Sequence, residues 1–198
     1  MELRTDFIDT SEFKFNDPKW TEGWQHNRKI KRINRGITLK SFGAFLVDRG
    51  FTHVLVGYEG SGDSGECYTA EGYKDKEFAE INNQWGLSEN FSPYGGKDIT
   101  DGKNRQAELR ELFDTYKKLN PEAAFGKDDN HLEYVLSNMI NYDWYNNEGG
   151  QGEVIWDLKK ESIIVNGEQN RRSYIECKEE YFLDGSDPKT SYRNEVMQ

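Results

Sequence analysis

The stretch Glu59-Gly60-Ser61-Gly62-Asp63-Ser64-Gly65-Glu66 concentrates the residue types from which this chain could build a ligand site. Gly60, Gly62 and Gly65 can take φ > 0 and turn successive N–H groups toward one point, an anion-binding nest. The carboxylates argue the other way. Asp63, flanked by Glu59 and Glu66, repels a phosphate unless a divalent cation intervenes. Glu59, Asp63 and Glu66, helped by Ser64, offer oxygen ligands to a hard cation, although their spacing is not that of a calcium loop. The same residues also suit a hairpin turn, with glycines permitting the bend and Asp63 or the serines accepting local N–H bonds.

A second segment, from Trp144 to Gly152, brings an aromatic ring and the amides of Asn146 and Asn147 ahead of a glycine run. If the two segments share a sheet, Trp144 and Asn146 can stack and hydrogen-bond a base or sugar beside the first loop; ring packing at a hinge is the competing reading. The ligand-binding candidates are therefore Gly60, Ser61, Gly62, Asp63, Ser64, Glu66, Trp144 and Asn146, and the metal candidates are Glu59, Asp63 and Glu66. No catalytic set accompanies them. Gly62-Asp63-Ser64-Gly65 is not a nucleophile elbow, no Walker loop or His-Glu-x-x-His occurs, and His26, His53 and His131 lack triad spacing. His53, alone on an apolar strand, reads as a structural histidine.

Strands must hold the first loop. Phe51 to Val56 alternates with apolar groups on both faces, as a central strand does, and the chain returns after the loop, so the six residues from Gly60 to Gly65 predict a hairpin turn. Upstream, Thr21 caps a helix carrying Trp24, Ile30 and Ile33 that Gly36 ends; a second helix spans Thr38 to Arg49. Leu109, Leu112, Phe113 and Tyr116 mark a helix over 104–119, and Leu132, Val135, Leu136, Met139 and Ile140 another from Asp129 to about Tyr142. Strands follow at 153–158, 162–166 and through Tyr174 to Cys177. The order predicts an α+β domain, an antiparallel sheet of four to five strands in two hairpins with helices on one face. One domain covers 1–185, with an insertion at about 71–104 and a flexible tail at 186–198.

Composition sets the wider limits. Net charge is −10 with pI near 4.9, which disfavours general nucleic-acid binding, and hydrophobic content is only 34%, offset by 14% aromatics able to fill a core. From Trp24 to Val47 the charge inverts: Arg28, Lys29, Lys31, Arg32, Arg35 and Lys40 stand there with no Asp or Glu. Cys67 and Cys177 make no disulfide framework and read as reduced thiols. The first residues show no apolar leader core, and no run of eighteen apolar residues occurs, so a cytoplasmic location without membrane contact is expected.

The motif YEGSGDSGE, with Trp144, Asn146, Gly149 or Gly150, Gly152, Asp157, Ile163, Asn170 and Arg172 downstream, resembles an uncharacterised family of small bacterial and mobile-element proteins that carries a Gly-Ser-Gly-Asp-Ser-Gly signature. The likeness covers about residues 38–70 and 130–180. It implies that both motifs belong to one domain and implies no reaction. The sequence reading is therefore a non-enzymatic acidic interaction protein, a phage or mobile-element accessory or inhibitor, acting on a protein partner. The alternatives are a small nucleotide- or anion-binding protein or metal-dependent hydrolase using the Gly-Ser-Gly-Asp-Ser-Gly loop, and a nucleic-acid mimic.

Overall fold

Asp17, with its carboxylate accepting from Lys19 N at 2.8 Å and Pro18 at the first helical position, starts helix α1, Pro18–Val47. The computed structural model describes residues 2–15, 17–74, 100–125, 130–146, 148–169, 174–183 and 189–195. After α1 come β1 (Phe51–Ser61), β2 (Ser64–Cys67), β3 (Glu71–Lys74), α2 (Thr100–Leu119), α3 (Leu132–Ser137), β4 (Gly150–Asp157), β5 (Ser162–Gln169), β6 (Tyr174–Phe182) and β7 (Lys189–Glu195).

The expected α+β architecture is present: one antiparallel sheet in the order β2-β1-β4-β5-β6-β7, with β3 also paired to β1. The strand β1 is long enough for two partners on one edge, β3 against Phe51–Leu55 and β2 against Tyr58–Ser61, bridged by Tyr68 N donating to Gly57 O at 2.8 Å. The sheet is wider than four to five strands because β3 forms at the start of the expected insertion and β7 within the expected tail. Within that insertion the sequence also predicts a short helix at 75–84, which lies outside the described residues.

Register decides which side chains share a face, since directly opposed residues of an antiparallel pair point the same way. Val54, Trp156, Ile163 and Tyr181 form one cross-strand row and Val56, Val154 and Val165 the next. Leu39, Phe42 and Leu46 of α1, Leu109, Phe113 and Tyr116 of α2, and Leu132, Val135 and Leu136 of α3 pack on this face in a single core. Phe42 is its centre, with ring centroids 5.6 Å from Phe113, 5.0 Å from Tyr116 and 6.1 Å from Trp156. Fully buried rings of this size each remove about 150–250 Å² from water, which is how a chain with few aliphatic residues sustains a core.

The opposite face bears a smaller apolar cluster of Leu55, Tyr73 and Ile155, and at its β3 margin Gln106 Nε2 of α2 donates to Glu71 Oε1 at 3.1 Å.

Two helices expected from sequence are one. Gly36 lies buried within α1, where a Cβ would sit 3.2 Å from Leu183 O, so it serves the approach of another backbone rather than a helix stop. The helix α3 is only six residues long, starts after His131, which makes no side-chain cap bond, and ends at Ser137, well short of Tyr142. The sequence offers Asp128 or Asp129 as its cap, and both lie outside the described residues.

Residues 2–10 run along α1 as an arm without helix or strand, and the chain turns at 11–13 before it reaches Asp17. Asn34, 6% exposed, accepts from Arg4 N at 2.7 Å and donates to Arg4 O at 2.8 Å; seven residues earlier, Asn27 accepts from Ile8 N at 2.8 Å and donates to Ile8 O at 2.7 Å. Seven residues is two helical turns, so both amides project along one line. Phe7 and Ile8 remain 46% and 43% exposed on the arm.

Cys67 and Cys177 fall on one cross-strand row, Cys67-Tyr58-Gly152-Gly167-Cys177. Four strand intervals of about 4.8 Å separate them, far beyond disulfide reach. Cys67 is a free thiol, and burial pushes its pKa up. No helix among the described residues is long and apolar enough to cross a membrane.

Candidate functional site

The Gly-Ser-Gly-Asp-Ser-Gly segment is mostly strand. The turn is the two residues Gly62 and Asp63, at φ 58° and 70°, the paired left-handed conformation of a type I′ hairpin. This replaces the expected six-residue turn: Gly60 pairs with Gly65 and Ser61 with Ser64, and Ser64 Oγ donates to Ser61 O at 3.2 Å. Aspartate tolerates left-handed backbone better than most residues, which accounts for Asp63 at the tip.

The two glycine segments meet. Gly60 pairs with Gly150, placing both at one end of the sheet. Gly149, at φ +72°, lies so close that a Cβ there would penetrate the Gly60 carbonyl. A Cβ on Gly65 would meet the Trp144 ring at 2.6 Å, and one on Gly60 would meet Trp144 O at 2.6 Å. Trp144 is partly buried and packs edge-on to Tyr58, with centroids 5.2 Å apart, on the core side of the hairpin. The hydroxyls of Tyr58 and Tyr142 hydrogen-bond beneath it. Asn146 is used locally, donating from N and Nδ2 to Asp143 Oδ1 at 3.3 and 2.8 Å while its carbonyl accepts from Gly149 N. Trp144 and Asn146 thus brace the loop junction.

An open cavity of about 480 Å³ lies at this junction, bounded by Glu59, Gly60, Ser61, Ser64, Gly65, Glu66, Gly150 and Gln151. The row Glu66-Glu59-Gln151-Glu168 crosses four strands on the face away from the helices. Of the candidates, the structure gathers Gly60, Ser61, Ser64, Glu66 and Glu59 on the cavity, with Gly62 and Asp63 at the turn tip and Trp144 and Asn146 behind the hairpin. Among the described residues no three His, Cys, Asp or Glu side chains are disposed to hold a metal ion, so Glu59, Asp63 and Glu66 do not form a cluster.

Further along the same face is a residue that sequence reasoning passed over. Glu153 is 2% exposed, opposite Gly57 on β1 and Asn166 on β5, and accepts from Asn166 Nδ2 at 3.1 Å. Burial pushes its carboxyl up to about 7, with the Asn166 donor pulling part of the way back. The Tyr68 ring covers Gly57, where a Cβ would stand 2.9 Å from Tyr68 Cδ2. The available signal was a lone glutamate alternating with apolar residues in Gly-Gln-Gly-Glu-Val-Ile-Trp-Asp.

At the far end His53 pairs with Asp157 in register, its Nε2 3.6 Å from Asp157 Oδ2 and its Nδ1 3.0 Å from Thr52 Oγ1. Burial lowers the His53 pKa, and Asp157 restores part of it. Burial alone would raise Asp157; the Lys160 N–H and ammonium outweigh it and hold the carboxyl below its ordinary range. Asp157 Oδ1 accepts from Lys159 N at 3.1 Å and Lys160 N at 3.0 Å, so it closes the β4–β5 turn. Ile163 is core, while Asn170 and Arg172 lie outside the described residues.

Comparisons with family models, with curated proteins and with solved structures return no match for this chain. The likeness drawn from the Gly-Ser-Gly-Asp-Ser-Gly signature rests on those residues alone.

Proposed function

We propose that this is a non-enzymatic binding protein that holds a basic group of a macromolecular partner in the cavity beside Glu59, Glu66 and Gln151. The observation that supports it is the meeting of two carboxylates with glycine backbone at one open cavity, at the end of the sheet face opposite the main core. A guanidinium or ammonium fits such a rim. Exposed pairs of this kind contribute about 0.2–1 kcal/mol each. One basic side chain is therefore too little for useful affinity, and the ligand is a partner surface rather than a free amino acid. The net charge of −10 speeds encounter with a basic partner.

A nucleotide or phosphate would face Glu59 and Glu66 directly, which places that reading second. Nucleic-acid mimicry has less support, because Gln151 interrupts the acidic row and seven Lys and Arg stand against one glutamate in α1.

The test is an NMR titration of the full chain with arginine- and lysine-bearing peptides, read at the backbone amides of Gly60, Gly62 and Gly65. Basic peptides are expected to shift these signals, and Glu59→Gln with Glu66→Gln to remove the response. Shifts with ATP or phosphate and none with any basic peptide would reject the reading.

A further inference from the structure

The aromatic and basic residues of α1 are absorbed neither by the core nor by the acidic cavity. Trp20, Trp24, Arg28 and Lys31 recur at four-, four- and three-residue intervals, the spacing of one helix face. The Trp20 and Trp24 rings are within 12° of parallel with centroids 6.3 Å apart, Phe15 adds a third ring 4.8 Å from Trp20, and the Arg28 guanidinium stands 5.4 Å from the Trp24 centroid. Phe15 is 75% and Trp24 45% exposed, so this ladder has not been spent on folding.

We propose that this stripe binds single-stranded nucleic acid, the exposed rings stacking on bases while Arg28 and Lys31 meet phosphates. Ring faces repeating every helical turn, about 6 Å, suit a strand whose bases are unstacked from one another. The basic side chains on the same line supply the electrostatic half of the contact. The acidic remainder of the chain opposes a broad duplex footprint. The arm also brings Asp6, Asp9 and Glu12 alongside α1, but fields are screened over about 8 Å at physiological salt, and Pro18–Val47 itself carries seven Lys and Arg against a single acid, Glu22. Trp and Arg recur at protein interfaces too; the excess of seven Lys and Arg over one acid along this helix is what favours a polyanion.

Fluorescence anisotropy of a labelled dT20 oligonucleotide with the full chain tests this. Binding is expected at 50 mM salt and should weaken as salt rises, by about 0.7 in log K per log salt for each phosphate neutralised. Trp24→Ala should weaken it about tenfold and Arg28→Gln should lower the salt slope. Trp24 is exposed, so an unchanged melting curve certifies that the variant folds. Glu59→Gln should leave oligonucleotide binding intact, which separates this site from the cavity. No anisotropy change at 50 mM salt, equal binding by Trp24→Ala, or preference for duplex or for phosphatidylserine vesicles over dT20 would overturn the proposal.

Discussion

Replacing Glu153 by glutamine tests how burial governs the face of the sheet away from the helices. The carboxyl sits 2% exposed with one hydrogen bond, from Asn166, and burial raises it from 4.5 to about 7. Between those two pH values the folded chain holds a proton that the unfolded chain has released, so stability falls as pH rises. The contribution is complete below about pH 4.5 and lost once pH passes about 7. The gap between 4.5 and about 7, at about 1.4 kcal/mol per pH unit, amounts to about 3 kcal/mol. Glutamine keeps an oxygen to accept from Asn166 and never ionises. Urea denaturation of both proteins from pH 4 to pH 8 isolates the effect, because every other titrating group cancels in the difference. The two should be nearly equal in stability at pH 4, and the variant more stable by about 3 kcal/mol at pH 8. A difference that does not change with pH, or a variant less stable at pH 8, would refute the reasoning.

Two glycine substitutions should diverge. Gly149→Ala forces a Cβ into the Gly60 carbonyl at φ +72° and should cost more than about 3 kcal/mol or abolish folding, whereas Gly62→Ala, with open space around it, should cost only the left-handed backbone strain of about 1–2 kcal/mol. Thermal melts of the pair decide this, and equal losses would contradict the packing described. Asp157→Ala removes the acceptor for Lys159 N and Lys160 N and should cost about 2 kcal/mol at pH 7. Because the Asp157 carboxyl is held below its ordinary range, its contribution is present above about pH 4 and lost on acidification, so the gap between variant and wild type should narrow as pH falls.

Local pattern made much of the fold legible. Val54, Leu55 and Val56 announce a central strand, and Leu109, Phe113 and Tyr116 announce α2, because each pattern reports burial within its own segment. What stayed hidden depends on distant chain. Gly36 reads as a helix stop until Leu183 is seen against it, and the split of α1 into two helices came from that one glycine. The meeting of Gly60 with Gly149 and Gly150 is set by strand register, which no local signal encodes. Placing the start of β4 at 153 instead of Gly150 concealed Gln151 and obscured which face Glu153 takes. Trp144 and Asn146 were found as residues but not as roles, since whether a ring before a glycine run lines a cavity or braces a turn depends on the side of the hairpin it occupies.

The arm held by Asn27 and Asn34 has one consequence for how this molecule can diversify. Both amides grip the main chain of Ile8 and Arg4, not their side chains. These four bonds are thus blind to which residues the arm carries at those positions, and only the methyls that Ile8 and Thr10 lay against Gly23 depend on side-chain identity. Substitution there can rewrite the surface shown beside α1 without unseating the segment, much as a cable clamp holds any wire of the right gauge.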